Sequence, residues 1–276
     1  MNTNVDAAAS LVLIGALTVA LGTYVVASIA AGRPLLADRV EREAALPLVG
    51  KAPMHAVYRA LVPFGKMLAA LGVSANAVSL AALAIAVLAA IAFATGHFGV
   101  AALVAAISSL ADALDGLVAR LSGTKSRIGQ VLDTTIDRYV DALFLGGIAM
   151  YVREDAVLLA VTIAAIVGSF MVSYASSVER ELSVQGAPAP MRRAHRLAYL
   201  LLASMIAPFV GEVADDRRVE LVPIFVAIGA IAVVGNVSAV RRLLAAARVA
   251  AEREAAPSSG PEVEAEPHLS TDGARR

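Results

Sequence analysis

The sequence has no cysteine and no tryptophan, and only 17% of its 276 residues are charged. Absence of cysteine removes disulfides, thiolate catalysis and cysteine-ligated zinc or iron-sulfur centres together. The four histidines, His55, His97, His195 and His268, are too scattered for a close metal-ligand spacing, so a histidine zinc site is not expected either. Any metal must rest on oxygen. The formal net charge is +0. No global field of one sign is available to hold nucleic acid, and no nucleic-acid partner is expected.

What is abundant is apolar. Hydrophobic residues make up 59% of the chain and the mean hydropathy is +0.75, whereas soluble domains carry roughly 25% charged residues. Several apolar stretches reach the ~20 residues that a helix needs to cross about 30 Å of hydrocarbon. They predict an all-α integral membrane protein with seven spans, at about 8–31, 76–96, 98–121, 129–152, 156–178, 195–212 and 220–243. The first is longer than a signal-peptide core and lacks a basic leader, since only Asp6 is charged before it, so it is expected to be retained.

Four regions are expected: an N-terminal transmembrane helix (1–32), an interfacial amphipathic segment (33–73), a six-helix transmembrane domain (74–246) and a disordered tail (247–276). In the second region Arg59 and Lys66 interleave with Val57, Leu61, Phe64 and Leu68, the pattern of a helix lying in the interface. Tail residues are rich in Glu, Pro, Ser and Gly and too polar to build a core. Basic residues near span ends set orientation. Arg33, Arg39, Arg42, Lys51, Arg59, Lys66, Lys125, Arg127, Arg180, Arg192, Arg193, Arg196, Arg241, Arg242 and Arg248 share one side. Only Arg153, Arg217 and Arg218 stand on the other, which places the N-terminus outside and the C-terminus in the cytoplasm.

The segment DALDGLVARLSGTKSRIGQVLDTTID, residues 112–137, sets four carboxylates at the cytoplasmic ends of two apolar helices. An Asp deep in a span costs roughly 2.5 to 3.5 kcal/mol on insertion scales, so such acids are rare and usually functional. Asp112 and Asp115 are three apart, Asp133 and Asp137 four apart, and each pair shares a helix face. The short connection predicts antiparallel neighbours that point all four groups into one site. Like charges so close need a countercharge, and oxygen-only donors suit Mg²⁺ or Mn²⁺, two of which can clamp a phosphoryl displacement. Gly116, Ala119 and Gly129 would let a nucleotide or a neighbouring helix approach the backbone. Two other readings stand beside this one. The acids could pair with Arg120, Arg127 and Arg138 as charge compensation, although Asp141 adds a fifth acid one turn beyond Asp137, or they could conduct ions or protons.

At these residues the sequence resembles the CDP-alcohol phosphotransferases, whose signature is D-x-x-D-G-x-x-A-R, about eight residues, then G-x-x-x-D-x-x-x-D. Asp112, Asp115, Gly116, Ala119, Arg120, Gly129, Asp133 and Asp137 fill every position, and LGVSANAVSL before them looks like the entry into the first core helix. The resemblance covers six spans, from about 76 to 243, and leaves the first span outside the common core. It implies a six-helix catalytic core and a homodimer. It also implies transfer of a phosphoalcohol or phosphatidyl group from a CDP-linked donor such as CDP-diacylglycerol, with release of CMP. Two ions of Mg²⁺ or Mn²⁺ would be held by Asp112, Asp115, Asp133 and Asp137, with Asp137 also the general base. Gly116, Ala119, Arg120 and Gly129 would contact CDP.

For the acceptor, SYASSVERELSVQGAPAPMRRAHRLAY, residues 173–199, resembles the inositol-phosphate-using branch, as does D-R-x-x-D from Asp137 to Asp141. Arg193 and Arg196 match that branch's phosphate-binding R-x-x-R, although His195 departs from the acidic residue usual between them. Glycerol 3-phosphate, serine or ethanolamine-type acceptors remain open, because arginines serve any phosphorylated acceptor. The expected location is a bacterial inner or plasma membrane with the site facing the cytoplasm.

Overall fold

Nine helices account for nearly all of the described residues, which in this computed structural model are 3–32, 51–124, 126–184 and 191–255. In chain order they are α1 (Thr3–Ala30), α2 (Ala52–Ala70), α3 (Ala75–Ala94), α4 (Phe98–Leu121), α5 (Arg127–Tyr151), α6 (Ala156–Glu181), α7 (Arg193–Ala214), the short α8 (Arg217–Glu220) and α9 (Val222–Ala255). No strand occurs among these residues. Helix starts follow local chemistry: Ser74, Ser126 and Asp155 each accept a backbone N–H of the first turn they precede.

Six helices (α1, α3, α4, α6, α7 and α9) are long and apolar enough to cross a bilayer. The seventh expected span, α5, is as long but more charged, because no 18-residue stretch of it avoids Asp137, Arg138 and Asp141. It is held by α3 on one side and α6 on the other. A Cβ at Gly147 would run into the Ala90 carbonyl and come within 2.9 Å of Phe93 Cβ, so only glycine lets α5 lie this close to α3. Another tight pair is α6 with α9, where Gly168 faces Gly235 and Asn236 Nδ2 donates to Ala164 O at 2.8 Å. Between them sit the fully buried Phe93, Phe98, Phe144, Ile148, Ile224, Ile228 and Ile231.

Direct packing of α4 on α5 is not what brings the carboxylates together. Both helices lean on α3 instead, and α4 packs further against α1, α2 and α7. A three-helix arrangement separates the acid-bearing ends enough for a cavity to open between them. Leu117 of α4 meets Gly65 of α2, whose buried face is His55, Ala56, Leu61 and Gly65, while Arg59, Phe64 and Lys66 stay exposed. The expected segment before α2, residues 33–50, lies outside the described residues.

The first span is attached through its one acid. Asp6 is 4% exposed, its Oδ1 accepts the Val100 N–H at 3.1 Å, and its Oδ2 lies 3.0 Å from His97 Nδ1. Asp6 therefore caps the N-terminus of α4 from another helix, where an anion is favoured. Asp6→Ala is expected to lower stability by about 1–3 kcal/mol, read as a lower thermal midpoint in detergent, because it strands a buried backbone donor. At the other end of the chain α9 runs to Ala255 rather than stopping near 246. The stretch AAARVAAERE, residues 245–254, is rich in strong helix formers, which outweigh its polarity, and the expected tail beyond 255 lies outside the described residues.

Candidate active site

Three helix ends build the site. The N-terminal turn of α3, the C-terminal half of α4 and the N-terminal half of α5 enclose a cavity of about 600 Å³. Asp115, Gly116, Ala119 and Arg120 of α4 line it, with Gly129 and Asp133 of α5. Ser126 both caps α5 and fixes the local backbone, since its Oγ accepts the Gly129 N–H at 2.9 Å. A side chain at Gly129 would press on that cap, with Ser126 Oγ 3.1 Å from its Cβ. The opposite wall comes from Ala69, Gly72, Val73, Ser74, Asn76 and Ser79.

At one edge of this cavity, Asp112, Asp133 and Asp137 each bring a carboxylate oxygen within 4.8 Å of the others. Asp115 is not in that trio. It is buried, and its Oδ2 accepts from Ser79 Oγ at 2.5 Å. Asp133 belongs to both the trio and the cavity wall, so the four acids form one continuous rim rather than a single point. Ser79 lies in the LGVSANAVSL stretch singled out above, but nothing in its spacing marks it as the partner of Asp115.

The countercharge comes from a helix remote in sequence. Arg193, the first residue of α7, places Nη1 3.2 Å from Asp112 Oδ2 and 2.6 Å from Asp137 Oδ1, and its Nε 3.1 Å from Asp141 Oδ1. Arg196 reaches Asp141 Oδ2 at 3.0 Å. Arg120 and Arg138 have other partners among the described residues. Arg120 Nη2 donates to Tyr58 Oη of α2 at 3.1 Å, and Arg138 Nη1 to the Thr134 carbonyl at 2.8 Å. Among the described residues, Arg193 and Arg196 thus pair with Asp112, Asp137 and Asp141. Asp112 Oδ1 is buried without a hydrogen-bond partner among the described residues, and Asp137 Oδ1 meets Arg193 off the direction of a hydrogen bond. An all-oxygen donor set with unspent acceptors fits a divalent cation such as Mg²⁺ or Mn²⁺.

A helical membrane bundle with a nucleotide-sized cavity, a rim of carboxylates and small residues on its wall defines an integral membrane transferase that works at phosphate. The chain belongs to the CDP-alcohol phosphatidyltransferase family, whose sequence profile it matches over residues 72–250. It is 37% identical over 153 residues to the archaetidylinositol phosphate synthase of Pyrococcus horikoshii, covering 54% of this chain and 78% of that one. It is 32% identical over 226 residues to the phosphatidylinositol phosphate synthase of Streptomyces avermitilis, covering 77% of this chain and 90% of that one. The crystal structure of the Mycobacterium tuberculosis phosphatidylinositol phosphate synthase with CDP-DAG bound has the same fold. It matches with a TM-score of 0.60 and 26% identity, over 68% of this chain and 94% of that one. The chain is therefore an enzyme of phospholipid biosynthesis, and the reading of its acids as an ion path falls away. The match begins after α1, which stands outside the family's common part.

Proposed function

We propose that this enzyme transfers the phosphatidyl group of CDP-diacylglycerol to inositol phosphate and releases CMP, from a site that faces the cytoplasm of a bacterial inner or plasma membrane. The observation that carries the reading is the carboxylate trio at the edge of the cavity, with Arg193 over it. Asp112, Asp115, Asp133 and Asp137 would hold two ions of Mg²⁺ or Mn²⁺, whose charge would offset that of the phosphates and favour in-line displacement. Gly116, Ala119 and Gly129 offer bare backbone to the CDP moiety, and Arg120, fixed by Tyr58, is set to meet its phosphates.

The acceptor hydroxyl would give its proton to Asp137 as its oxygen attacks the phosphorus that carries the diacylglycerol. A new oxygen–phosphorus bond forms, and the bond to the CMP phosphate breaks, with the electron pair leaving on CMP. Inositol phosphate is favoured by the names of both curated relatives and by the position of Arg193. Its guanidinium sits at the N-terminus of a 22-residue helix, where the exposed N–H groups also favour an anion. Arg196, buried behind Asp141, would support that contact from the second row.

Purified protein incubated with CDP-diacylglycerol, Mg²⁺ or Mn²⁺ and a panel of alcohols tests the whole proposal through CMP release and the identity of the lipid. Turnover is expected with inositol phosphate, abolished by EDTA and restored by either cation. A product made only with glycerol 3-phosphate, serine or ethanolamine would replace the acceptor. Turnover that survives EDTA would remove the metals. The homodimer that the family resemblance implies is read from the mass of the detergent-solubilised protein.

A further inference from the structure

Asp141 lies outside the eight-position signature, yet it joins the two arginines at the start of α7. It stands one helical turn beyond Asp137 on the same face of α5. Its Oδ1 accepts from Arg193 Nε at 3.1 Å and its Oδ2 from Arg196 Nη2 at 3.0 Å. The two arginines are not equivalent. The Arg193 side chain is 25% exposed, whereas that of Arg196 is 5% exposed. Arg196 borders a cavity of about 20 Å³, shared with Asp141, Phe144, Ser169 and Leu200. That cavity has room for about one water molecule. What Arg196 visibly does is hold Asp141.

We infer that Asp141 is a positioning residue that makes the site selective for a phosphorylated acceptor. By fixing Nε of Arg193 it sets the plane of the guanidinium, so that the remaining N–H groups point toward the carboxylate rim where the acceptor must lie. Arg196, buried behind it, fixes Asp141 in turn. An arginine left to its own rotamers would contribute the same charge without the same direction. The inference rests on the acceptor reading above, in which Arg193 receives the acceptor's phosphate.

Steady-state kinetics of the full chain with CDP-diacylglycerol and inositol phosphate test it. Asp141→Asn is expected to raise the acceptor KM by about tenfold or more, while kcat changes by less than about threefold and the donor KM is unchanged. Calorimetric titration of donor-free protein with inositol phosphate should show the same loss. Because Asp141 acts through Arg193, the double variant D141N/R193Q is expected to be no worse than R193Q. Additive losses, or a loss confined to kcat, would overturn the inference. Since D141N strands the Arg196 charge, D141N/R196Q is measured alongside, with gel filtration to confirm folding. The same rise in acceptor KM is expected there, and a wild-type acceptor KM in that variant would refute it. Should wild-type enzyme prefer glycerol 3-phosphate, the choice of inositol phosphate falls while the same variants, assayed with that acceptor, still decide the role of Asp141.

Discussion

Asn in place of Asp137 is expected to lower the rate of CMP release by roughly 10²–10⁴-fold without unfolding the protein, the range that loss of a general base spans. The substitution keeps the shape of the side chain and removes both its charge and its capacity to take a proton. Asp137 contributes to the trio within 4.8 Å and meets Arg193 at 2.6 Å, so the loss would reach ligand set and base at once. Asp112→Asn and Asp133→Asn are expected to fall into the same range through the cation alone, and added Mn²⁺ should recover part of their loss but little of the Asp137→Asn loss. Initial rates on monodisperse protein measure this. Asp137→Asn enzyme that keeps a tenth of wild-type turnover would strip that residue of both roles.

The largest effect on stability is expected at the opposite wall of the bundle, where Arg242 of α9 lies buried against Glu179 of α6. Arg242 donates from Nε to Glu179 Oε1 at 2.8 Å, from Nη2 to Glu179 Oε2, and from Nη2 to Ser176 Oγ at 3.0 Å. A fork of this kind satisfies both ions, but each is out of water, so removing one partner leaves an uncompensated charge. Arg242→Met is expected to cost roughly 3–5 kcal/mol, seen as a large drop in the thermal midpoint in detergent, whereas Glu179→Gln with Arg242→Met should recover much of it. Equal midpoints for the single and double variants would show that the cost is lost packing rather than stranded charge. Together with Arg253, whose guanidinium donates to the Leu182 and Ser183 carbonyls, the pair ties the end of α6 to α9.

Much of the site is legible along the chain because its parts are local. Asp112 with Asp115, and Asp133 with Asp137, are placed on common faces by helix periodicity alone. Charge on α5 was visible too, although counting it as a plain span overlooked that Asp137, Arg138 and Asp141 make it the least apolar long helix of the bundle. Less visible were contacts across the fold. Ser79 is 36 positions from Asp115, and Asp6 is 91 positions from His97, so nothing in spacing could pair them. Arg193 and Arg196 read as equals in an R-x-x-R, since sequence separation carries no information about depth; burial of Arg196 behind Asp141 distinguishes them.

By itself the sequence determined that this chain lives in a bilayer, that it is helical, and that Asp112 with Asp115 and Asp133 with Asp137 share helix faces. Each follows from hydropathy or from the repeat of a single helix, quantities set within about ten to twenty residues. Only the tertiary structure decided that α4 and α5 both lean on α3 and so leave a cavity, and that Asp115 is held by Ser79 rather than joined to the trio. It also decided which cation faces the acids, because Arg193 meets Asp141 and Asp112 across 52 and 81 positions, distances in sequence that packing alone can close.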